Sequence, residues 1–238
     1  MRFSIVIPAH NEEENIGEVL AKIEIVLSGL DYELIVVNDH SIDLTGEIVK
    51  ELALRYPNIR LVENVRDKGF ANAIQTGFSS INTEVVIPVM GDLCDDLASI
   101  KSMLVKIEEG YDIVCGSRYS KGGERLGGSK FKGFLSSTAG RSLHFILGIP
   151  TNDIANAFKM YRKKVIDAVK LEAKGFDISM EIPVKAYYMG FKIAEVPTVW
   201  RERTKGKSTF KVFKLLPGYL KIYFWAIWKR IITPGLTG

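Results

Sequence analysis

The sequence predicts an α/β fold in which a mostly parallel central sheet has helices on both faces. Short runs of apolar and β-branched residues, such as FSIVIPA at 3–9 and YELIVVND at 32–39, are typical of buried parallel strands. Longer segments with apolar residues at helical spacing lie between these runs, for example SIDLTGEIVKELALRYP at 41–57. Regular alternation of the two patterns indicates a parallel sheet between two layers of helices.

Five strands with a helix between successive strands are expected in the first 118 residues. The strands are predicted at 3–9, 32–39, 59–64, 84–92 and 112–118. The helices are predicted at 11–27, 41–57, 69–81 and 98–110. Asn11 is expected to cap the first helix, because acids follow it as the helix dipole favours. Ligands of such sheets bind outside the carboxyl ends of the strands, so polar residues after each strand are candidate site residues.

Beyond residue 118 the alternation gives way to less regular segments. Residues 119–133 are rich in Gly, Lys and Arg and predict a mobile loop that is a candidate lid. Further elements are predicted as a helix at 134–148, a turn, strand and helix within 151–169, a helix at 176–190 and an edge strand at 192–203. Segment 201–214 is basic with a single Glu, which suits an anionic partner, although a solvated loop explains the same charge.

Composition argues against several classes of protein. The chain has 238 residues, which fits one large domain, and its 47% hydrophobic and 25% charged residues argue against disorder. Cys94 and Cys115 lack the spacing of a structural zinc site. Neither G-x-G-x-x-G after the first strand nor a P-loop pattern occurs, which removes the main signal of dinucleotide oxidoreductases and P-loop NTPases. The first apolar run is too short for a signal peptide, and no segment has the ~20 uncharged apolar residues of a membrane-spanning helix.

The last segment, at 212–235, combines aromatic and basic residues. Its aromatic residues include Tyr219, Tyr223, Phe224, Trp225 and Trp228, and its interrupting cations are Lys221, Lys229 and Arg230. This composition is too charged to span a bilayer but is typical of a helix lying in the membrane interface. A terminal helix packed on the domain or in a dimer interface explains the same pattern.

An acidic cluster follows the fourth strand, in PVMGDLCDD at 88–96. Carboxylates in this position are typical ligands of Mg²⁺ or Mn²⁺. Met90, however, stands two residues before Asp92, where the first acid of an Asp-x-Asp pair is expected. An acidic turn that binds nothing therefore remains the alternative.

The five strand ends read IPAHNEEENI, VVNDHSIDLT, RDKGFANAIQTGF, VMGDL and CGSRY. This set, in this order, resembles the family 2 inverting glycosyltransferases, which have the nucleotide-diphospho-sugar (GT-A) fold. Within them the chain is most similar to dolichyl- or polyprenyl-phosphate mannose and glucose synthases. KGFLSSTAG, NDIANAFKMYR and EVPTVWRERTKGKS add matches in the second half, so the resemblance covers roughly residues 3–215.

The resemblance implies where the nucleotide binds. The implied nucleotide-binding residues are Pro8, Ala9, Asn11, Glu12, Asp39, Lys68, Gly91, Arg203 and Lys205. A carboxylate such as that of Asp39 accepts hydrogen bonds from ribose hydroxyls or a base N–H. His40 replaces the glycine of the family's Asp-Asp-Gly-Ser, so the turn is expected to differ there.

The acidic cluster matches the family's Asp-x-Asp motif with its first acid missing. Asp92 corresponds to the second Asp, and Met90 to the first. Because Mg²⁺ commonly uses one or two protein carboxylates plus phosphate and water, Asp92 with the substrate diphosphate is expected to suffice. Asp95 is a candidate second ligand for Mg²⁺ or Mn²⁺, and Asp96 is expected to be a helix-start acid.

The implied acceptor-phosphate residues are Arg118, Lys132 and Ser136. Lys132 departs from the family's arginine and offers a point charge instead of a bidentate fork. Arg203, with Lys205 or Lys207, matches a basic loop that closes on the donor diphosphate, and Ser208 follows it. The residues expected to act in catalysis are Asp92, Arg118, Lys132 and Arg203.

These matches predict transfer of mannose or glucose from a GDP- or UDP-linked sugar to polyprenyl or dolichyl phosphate, with inversion. The chain is expected to act peripherally at the cytoplasmic face of a membrane, without nucleic acid as a partner. Residues 1–211 are the expected catalytic domain, with a nucleotide-binding half at 1–118 and an acceptor-binding half at 119–211. Residues 212–238 are the expected amphipathic membrane-interface segment.

Two alternatives remain open at this point. Transfer to a sugar hydroxyl of a glycan needs a carboxylate base, for which Asp95, Asp153 and Glu181 are candidates. A module that binds nucleotide sugars without catalysis is the other, and Met90 in place of an acid motivates it.

Overall fold

A seven-stranded sheet forms the centre of the computed structural model, which describes residues 1–92, 94–203 and 212–233, with side chains from 214 in the last range. The strands are β1 (Phe3–Ala9), β2 (Tyr32–Asn38), β3 (Ile59–Glu63), β4 (Val85–Pro88), β5 (Ile113–Ser117), β6 (Glu124–Leu126), β7 (Lys159–Arg162), β8 (Ile193–Pro197) and β9 (Val199–Arg201). The helices are α1 (Ile16–Val26), α2 (Thr45–Arg55), α3 (Phe70–Ser79), α4 (Ser99–Glu108), α5 (Lys130–Leu147), α6 (Lys163–Ala168), α7 (Ile178–Tyr188) and α8 (Val212–Ile232).

The strand order in this sheet is β3-β2-β1-β4-β7-β5-β8. Strand β7 runs antiparallel to both β4 and β5, and the other neighbouring pairs are parallel. The fold-class prediction is therefore confirmed. Strands β6 and β9 form a separate two-stranded parallel ladder.

Apolar residues on both faces of the sheet pack against helices. In β1, Val6 belongs to the cluster that includes residues of α3, α5, α7 and α8. Its neighbours Ile5 and Ile7 belong to the cluster with residues of α1, α2 and α4. Because successive side chains of a strand point to opposite faces, a sheet covered on both sides needs a continuous apolar run, which the sequence has.

The first helix begins later than predicted, at Ile16, and Asn11 is not its N-cap. Asn11 instead adopts a left-handed conformation with φ 53°. Its Oδ1 accepts a hydrogen bond from Ile42 N at 2.9 Å, and Glu12 N donates to Thr45 Oγ1 at 2.9 Å. Asn11 and Glu12, which are predicted to start a helix, thus join the end of β1 to the segment between β2 and the start of α2.

Two other segments also differ from prediction. The expected mobile loop at 119–133 contains β6 and the start of α5, whose N-cap Ser129 accepts from Lys132 N. The expected edge strand at 192–203 is divided into β8, at the edge of the main sheet, and β9, which pairs with β6. Pairing between two three-residue strands so far apart in sequence leaves no periodic signal in either one.

Helix α8 packs on the domain with one face and exposes another. Ile222 and Ala226 are buried, and Tyr188 Oη donates to Ala226 O at 2.5 Å. Tyr223 Oη lies 2.9 Å from Ser142 Oγ on α5. Leu220, Phe224, Trp228 and Ile231 form an exposed stripe on the other face. None of the described helices combines the length and apolar character needed to cross a membrane.

Candidate functional site

A cavity of about 540 Å³ lies at the carboxyl edge of the sheet and extends between helices α5, α7 and α8. Its charged lining residues lie after the strands and at the start of α5, and they include Glu12, Asp92, Asp95, Arg118, Lys132 and Arg203. The apolar lining residues lie on helices α5, α7 and α8, and they include Leu135, Ala139, Met180, Leu216, Tyr219 and Tyr223. The cavity therefore joins a charged compartment to an apolar channel.

The buried carboxylate of Asp39 organises the loops after β2 and β3. It accepts hydrogen bonds from Asn64 Nδ2 at 2.7 Å and from Gly69 N at 3.0 Å. Lys68, which precedes Gly69, is exposed. His40 has φ 55°, so it keeps the left-handed conformation that glycine adopts without strain. The replacement of glycine by His40 therefore preserves a glycine-like turn.

The predicted nucleotide residues at the end of β1 lie beside those after β4. Pro8, Glu12 and Gly91 all line the cavity, whereas Ala9 is buried. His10 Nδ1 lies 2.7 Å from Asp39 O. This contact ties the end of β1 to the end of β2.

Arg203 lies between two carboxylates that are far from it in sequence. Its Nη2 donates to Glu12 Oε1 at 3.1 Å and to Oε2 at 3.2 Å, and its Nε lies 3.9 Å from Asp92 Oδ2. The structure therefore brings together three of the predicted site residues. Lys205, Lys207 and Ser208 lie outside the described residues.

The three acids after β4 have different surroundings. Asp92 Oδ1 accepts from Cys94 N at 3.2 Å. Asp95 is buried and accepts from Met90 N at 3.0 Å. Burial and the nearby charge of Asp92 raise the pKa of Asp95 to about 7. Asp96 accepts from Ser99 Oγ at 2.8 Å in the first turn of α4, so its prediction as a helix-start acid is confirmed.

Within the described ranges, no group of three or more His, Cys, Asp or Glu side chains could hold a metal ion. Asp92 nevertheless lines the cavity and keeps Oδ2 outside its bond to Cys94 N. A single protein carboxylate fits Mg²⁺ or Mn²⁺ when a substrate diphosphate and water supply the other oxygens. The donor set thus fits a metal that binds together with its substrate.

Arg118 is held by an ion pair with Asp153, which the sequence pattern does not predict. Its Nε and Nη2 donate to the two carboxylate oxygens of buried Asp153 at 2.7 and 2.8 Å. Burial disfavours the guanidinium charge, but the pairing with Asp153 outweighs it and raises the pKa of Arg118. The pair fixes Arg118 in the cavity wall and leaves Nη1 outside these two bonds.

The other predicted acceptor residues lie on α5. Lys132 is in its first turn and lines the cavity. Ser136 also lines it, and its Oγ lies 2.6 Å from Tyr119 Oη. Glu181, a candidate base, instead accepts from Ala173 N at 2.9 Å and Lys185 Nζ at 2.6 Å, which gives it a structural role.

Lys159 is a buried lysine, and the sequence pattern does not predict its burial. Its Nζ donates to the carbonyl oxygens of Ile154 and Asn156. These residues belong to the loop that carries Asp153 and lines the cavity through Asn156. Burial lowers the pKa of Lys159 to about 8.

We expect the stability of the wild-type protein relative to Lys159→Met to rise between pH 8 and about 10.5. Below pH 8 the lysine is charged in both states, and the folded state bears the cost of a buried charge. Above pH 8 the folded protein loses the proton first, so the unfolded state binds more protons and stability increases with pH. At about 1.4 kcal/mol per pH unit, the change reaches at most about 3 kcal/mol.

Urea unfolding at pH 7.5, 9 and 10 measures this change. Lys163→Met is the matched control, because Lys163 is a surface residue paired with Asp167. A difference between wild type and Lys159→Met that does not vary with pH would contradict the expectation.

Comparison with known proteins places the chain among sugar transferases. A family model described as "Glycosyl transferase family 2" matches residues 4–170. The dolichol-phosphate mannosyltransferase of Pyrococcus furiosus is 34% identical over 232 residues, which cover 94% of this chain and 64% of that protein. The polyprenol monophosphomannose synthase of Mycolicibacterium smegmatis is 27% identical over 237 residues, which cover 97% of this chain and 89% of that protein.

Solved structures share the fold. Glucosyl-3-phosphoglycerate synthase from Mycobacterium tuberculosis in complex with UDP gives a TM-score of 0.71 at 18% identity, covering 95% of this chain and 80% of that one. Its complex with Mn²⁺, UDP-glucose and phosphoglyceric acid gives a TM-score of 0.71 at 17% identity, covering 95% and 79%. The predicted GT-A fold is thereby confirmed.

Proposed function

This chain belongs to glycosyl transferase family 2, and we propose that it transfers mannose or glucose from a GDP- or UDP-linked sugar to polyprenyl or dolichyl phosphate. Its relatives at 34% and 27% identity are named for transfer of mannose to such lipids. The first relative is longer, and this chain spans 64% of it. The proposal assigns to residues 1–211 the catalytic domain and to 212–238 the membrane-facing segment.

The observation that carries the proposal is the two-part cavity. A polyprenyl phosphate has a charged head and a long apolar chain. Its phosphate fits the polar end near Arg118 and Lys132, and its chain fits the apolar channel along α5 and α8. Phe134 and Phe224 line the same channel and are exposed, so they lie where it meets the surface.

The reaction we propose is an in-line displacement. An oxygen of the acceptor phosphate attacks the anomeric carbon, the bond from that carbon to the nucleoside diphosphate breaks, and the configuration inverts. A phosphate monoester has a second pKa of about 6 and is already ionised at neutral pH, so no strong general base is needed. The site must instead hold two anionic groups close together.

The chain's own cations and carboxylates divide this task. We assign Arg118, Lys132 and Ser136 to the acceptor phosphate, and Arg203 to the donor diphosphate. Asp39 and Glu12 belong to the nucleoside pocket with Pro8, Ala9, Asn11, Lys68, Gly91 and Lys205. When bound at Asp92, with Asp95 as a further ligand, Mg²⁺ or Mn²⁺ acts as a Lewis acid that stabilises the leaving diphosphate.

The proposed acceptor also explains the exposed face of α8. Leu220, Phe224, Trp228 and Ile231 are apolar, and Lys221 and Lys229 are basic residues on the same helix. Aromatic residues favour headgroup depth, and lysines favour anionic lipid. We propose that α8 lies in the interface at the cytoplasmic face of a membrane and places the channel mouth at the lipid.

Asp95 favours a second candidate, transfer to a sugar hydroxyl. A buried carboxyl group with a pKa of about 7 in the cavity suits a general base, which a hydroxyl acceptor requires. The two candidates differ in the chemistry of the acceptor. A lipid phosphate needs the apolar channel and no base, whereas a glycan needs the base and no channel.

A transfer assay tests the proposal. The protein in mild detergent is mixed with GDP- and UDP-linked sugars and a polyprenyl phosphate, with Mg²⁺, Mn²⁺ or a chelator, and lipid products are analysed by mass spectrometry. We expect a lipid-phosphate-sugar product that chelation abolishes. Transfer to glycans alone would support the hydroxyl-acceptor candidate, and donor binding without any transfer would contradict both.

A further inference from the structure

Arg125 is a cation of the cavity wall to which the proposed mechanism gives no role. It lies on β6 and lines the cavity together with Ser129 and Lys132. Its guanidinium lies over the ring of Trp200 on the paired strand β9, with 5.0 Å between Cζ and the ring centroid. Because stacking uses the face of the guanidinium, its in-plane N–H groups stay available to an oxyanion.

Two glycines leave the space that this guanidinium occupies. A Cβ on Gly128 would lie 2.4 Å from Arg125 Nη2 and 3.1 Å from the ring of Trp200. A Cβ on Gly133 would lie 3.1 Å from Arg125 Nη1. Gly128 also has φ 71°, a conformation that other residues rarely adopt. The turn before α5 is therefore shaped around the side chain of Arg125.

Arg125 differs from Arg118 in how its charge is balanced. Within the described ranges, no carboxylate oxygen lies within 4.0 Å of a guanidinium nitrogen of Arg125. Glu202, at the end of the paired strand, accepts from Gly128 N at 2.9 Å. The charge of Arg118 is neutralised by Asp153, which binds both its Nε and its Nη2. A dianion that enters the cavity therefore gains more electrostatic stabilisation from Arg125 than from Arg118.

We propose that Arg125, oriented by Trp200, binds the phosphate of the acceptor lipid as a bidentate ligand. The inference rests on the proposed function and adds a phosphate-binding residue to it. Lys132 lines the same end of the cavity, and Leu135 and Ala139 follow it on α5 along the apolar channel. A phosphate held between Arg125 and Lys132 therefore has its isoprenoid chain beside apolar side chains.

Steady-state kinetics of Arg125→Gln test this role. We expect the KM for polyprenyl phosphate to rise roughly ten- to hundred-fold, as loss of a charged hydrogen-bonding group predicts, while the KM for the nucleotide sugar changes less than about two-fold. Arg125→Lys keeps the positive charge but loses the bidentate geometry of the guanidinium. Its KM for polyprenyl phosphate should therefore lie between those of wild type and Arg125→Gln. Lys130→Gln removes a charge from the first residue of α5, outside the cavity, and its KM values should match those of wild type.

A binding measurement separates this inference from the proposed function. Wild-type protein should bind farnesyl phosphate more tightly than farnesol, and Arg125→Gln should lose that preference, whether or not transfer is observed. An unchanged acceptor KM and an unchanged preference in folded Arg125→Gln would overturn the inference. A rise in the donor KM alone would also overturn it, because Arg125 would then serve the diphosphate. Absence of transfer by wild type contradicts the proposed function only.

Discussion

Replacement of Asp92 by Asn is expected to lower kcat by about hundred-fold or more, with the protein still folded. Asp92 lines the cavity, is the carboxylate to which we assign the metal, and lies 3.9 Å from Arg203 Nε. The amide keeps an oxygen that accepts from Cys94 N, so the turn should survive. It loses the anionic charge that a hard divalent cation requires, and removing one electrostatic contact to a transition state typically costs about 10²–10³ in rate.

Asp96→Asn is the matched control for this experiment. Asp96 is in the same acidic cluster but accepts from Ser99 Oγ in the first turn of α4 and does not line the cavity. Both variants remove one negative charge within five residues of chain, so long-range electrostatics change alike. We expect Asp96→Asn to keep kcat within about three-fold, because its hydrogen bonds to Ala98 N and Ser99 Oγ contribute to stability, by about 1 kcal/mol each, and not to turnover.

Metal titration completes the comparison of these variants. The concentration of Mn²⁺ that gives half-maximal activity should rise in Asp92→Asn and stay constant in Asp96→Asn. Near-normal turnover of Asp92→Asn with an unchanged metal requirement would show that the cluster is an acidic turn. The replacement of the motif's first acid by Met90 would then be accompanied by loss of metal binding at this site.

Most of the sheet could be predicted from the sequence because its signals are local. Strands β1, β2 and β3 begin and end within one residue of their predictions. For β1 and β2 the reason is that a strand buried on both faces is a continuous apolar run, whereas β3 is a partly buried edge strand. The order of strand ends also predicted polar residues at the carboxyl edge of the sheet, where Asp92 and Arg118 line the cavity and Asp39 is buried behind the loops after β2 and β3. Local periodicity and topology were sufficient for these features.

The features that the sequence did not predict depend on contacts between distant segments. The bond between Arg118 and Asp153 joins residues 35 apart. The stack of Arg125 on Trp200 requires the pairing of β6 with β9. Neither contact produces a periodic pattern in the sequence. A single charged or aromatic residue has many possible partners, so the sequence does not identify the right one. The glycines before α5 predict a mobile loop, whereas in the structure Gly128 makes room for Arg125 and Trp200.

Helix α8 lines the channel with one side and exposes apolar residues on the other, which connects the channel to the proposed membrane site. Tyr219 and Tyr223 line the channel from one side of the helix, and Tyr219 Oη donates to Phe176 O at 2.9 Å. Trp228 and Ile231 are 55% and 70% exposed on the other side. The same helix therefore closes the channel that we propose for the acceptor and offers apolar surface outward, so binding to lipid would bring this channel to the proposed substrate.

We expect Trp228→Glu combined with Ile231→Glu to abolish binding to vesicles that contain anionic lipid. Each apolar side chain contributes roughly 1.5–3 kcal/mol when it leaves water, so losing two lowers the partition constant by at least about hundred-fold. The added carboxylates are also repelled by the negative surface. Neither residue lines the cavity, so transfer to a short, water-soluble isoprenyl phosphate should stay near wild type.

Co-sedimentation with vesicles measures the binding, and Ile25→Glu with Leu54→Glu is the control. Ile25 and Leu54 are 75% and 89% exposed, but they lie on α1 and α2, on the other face of the sheet from α8. The control adds the same two charges and should keep vesicle binding. Equal loss in both double variants would indicate non-specific charge repulsion, and undiminished binding of the α8 variant would assign the exposed stripe to another partner. Loss confined to the α8 variant, with soluble-acceptor turnover intact, would place lipid binding on this helix and chemistry in the cavity behind it.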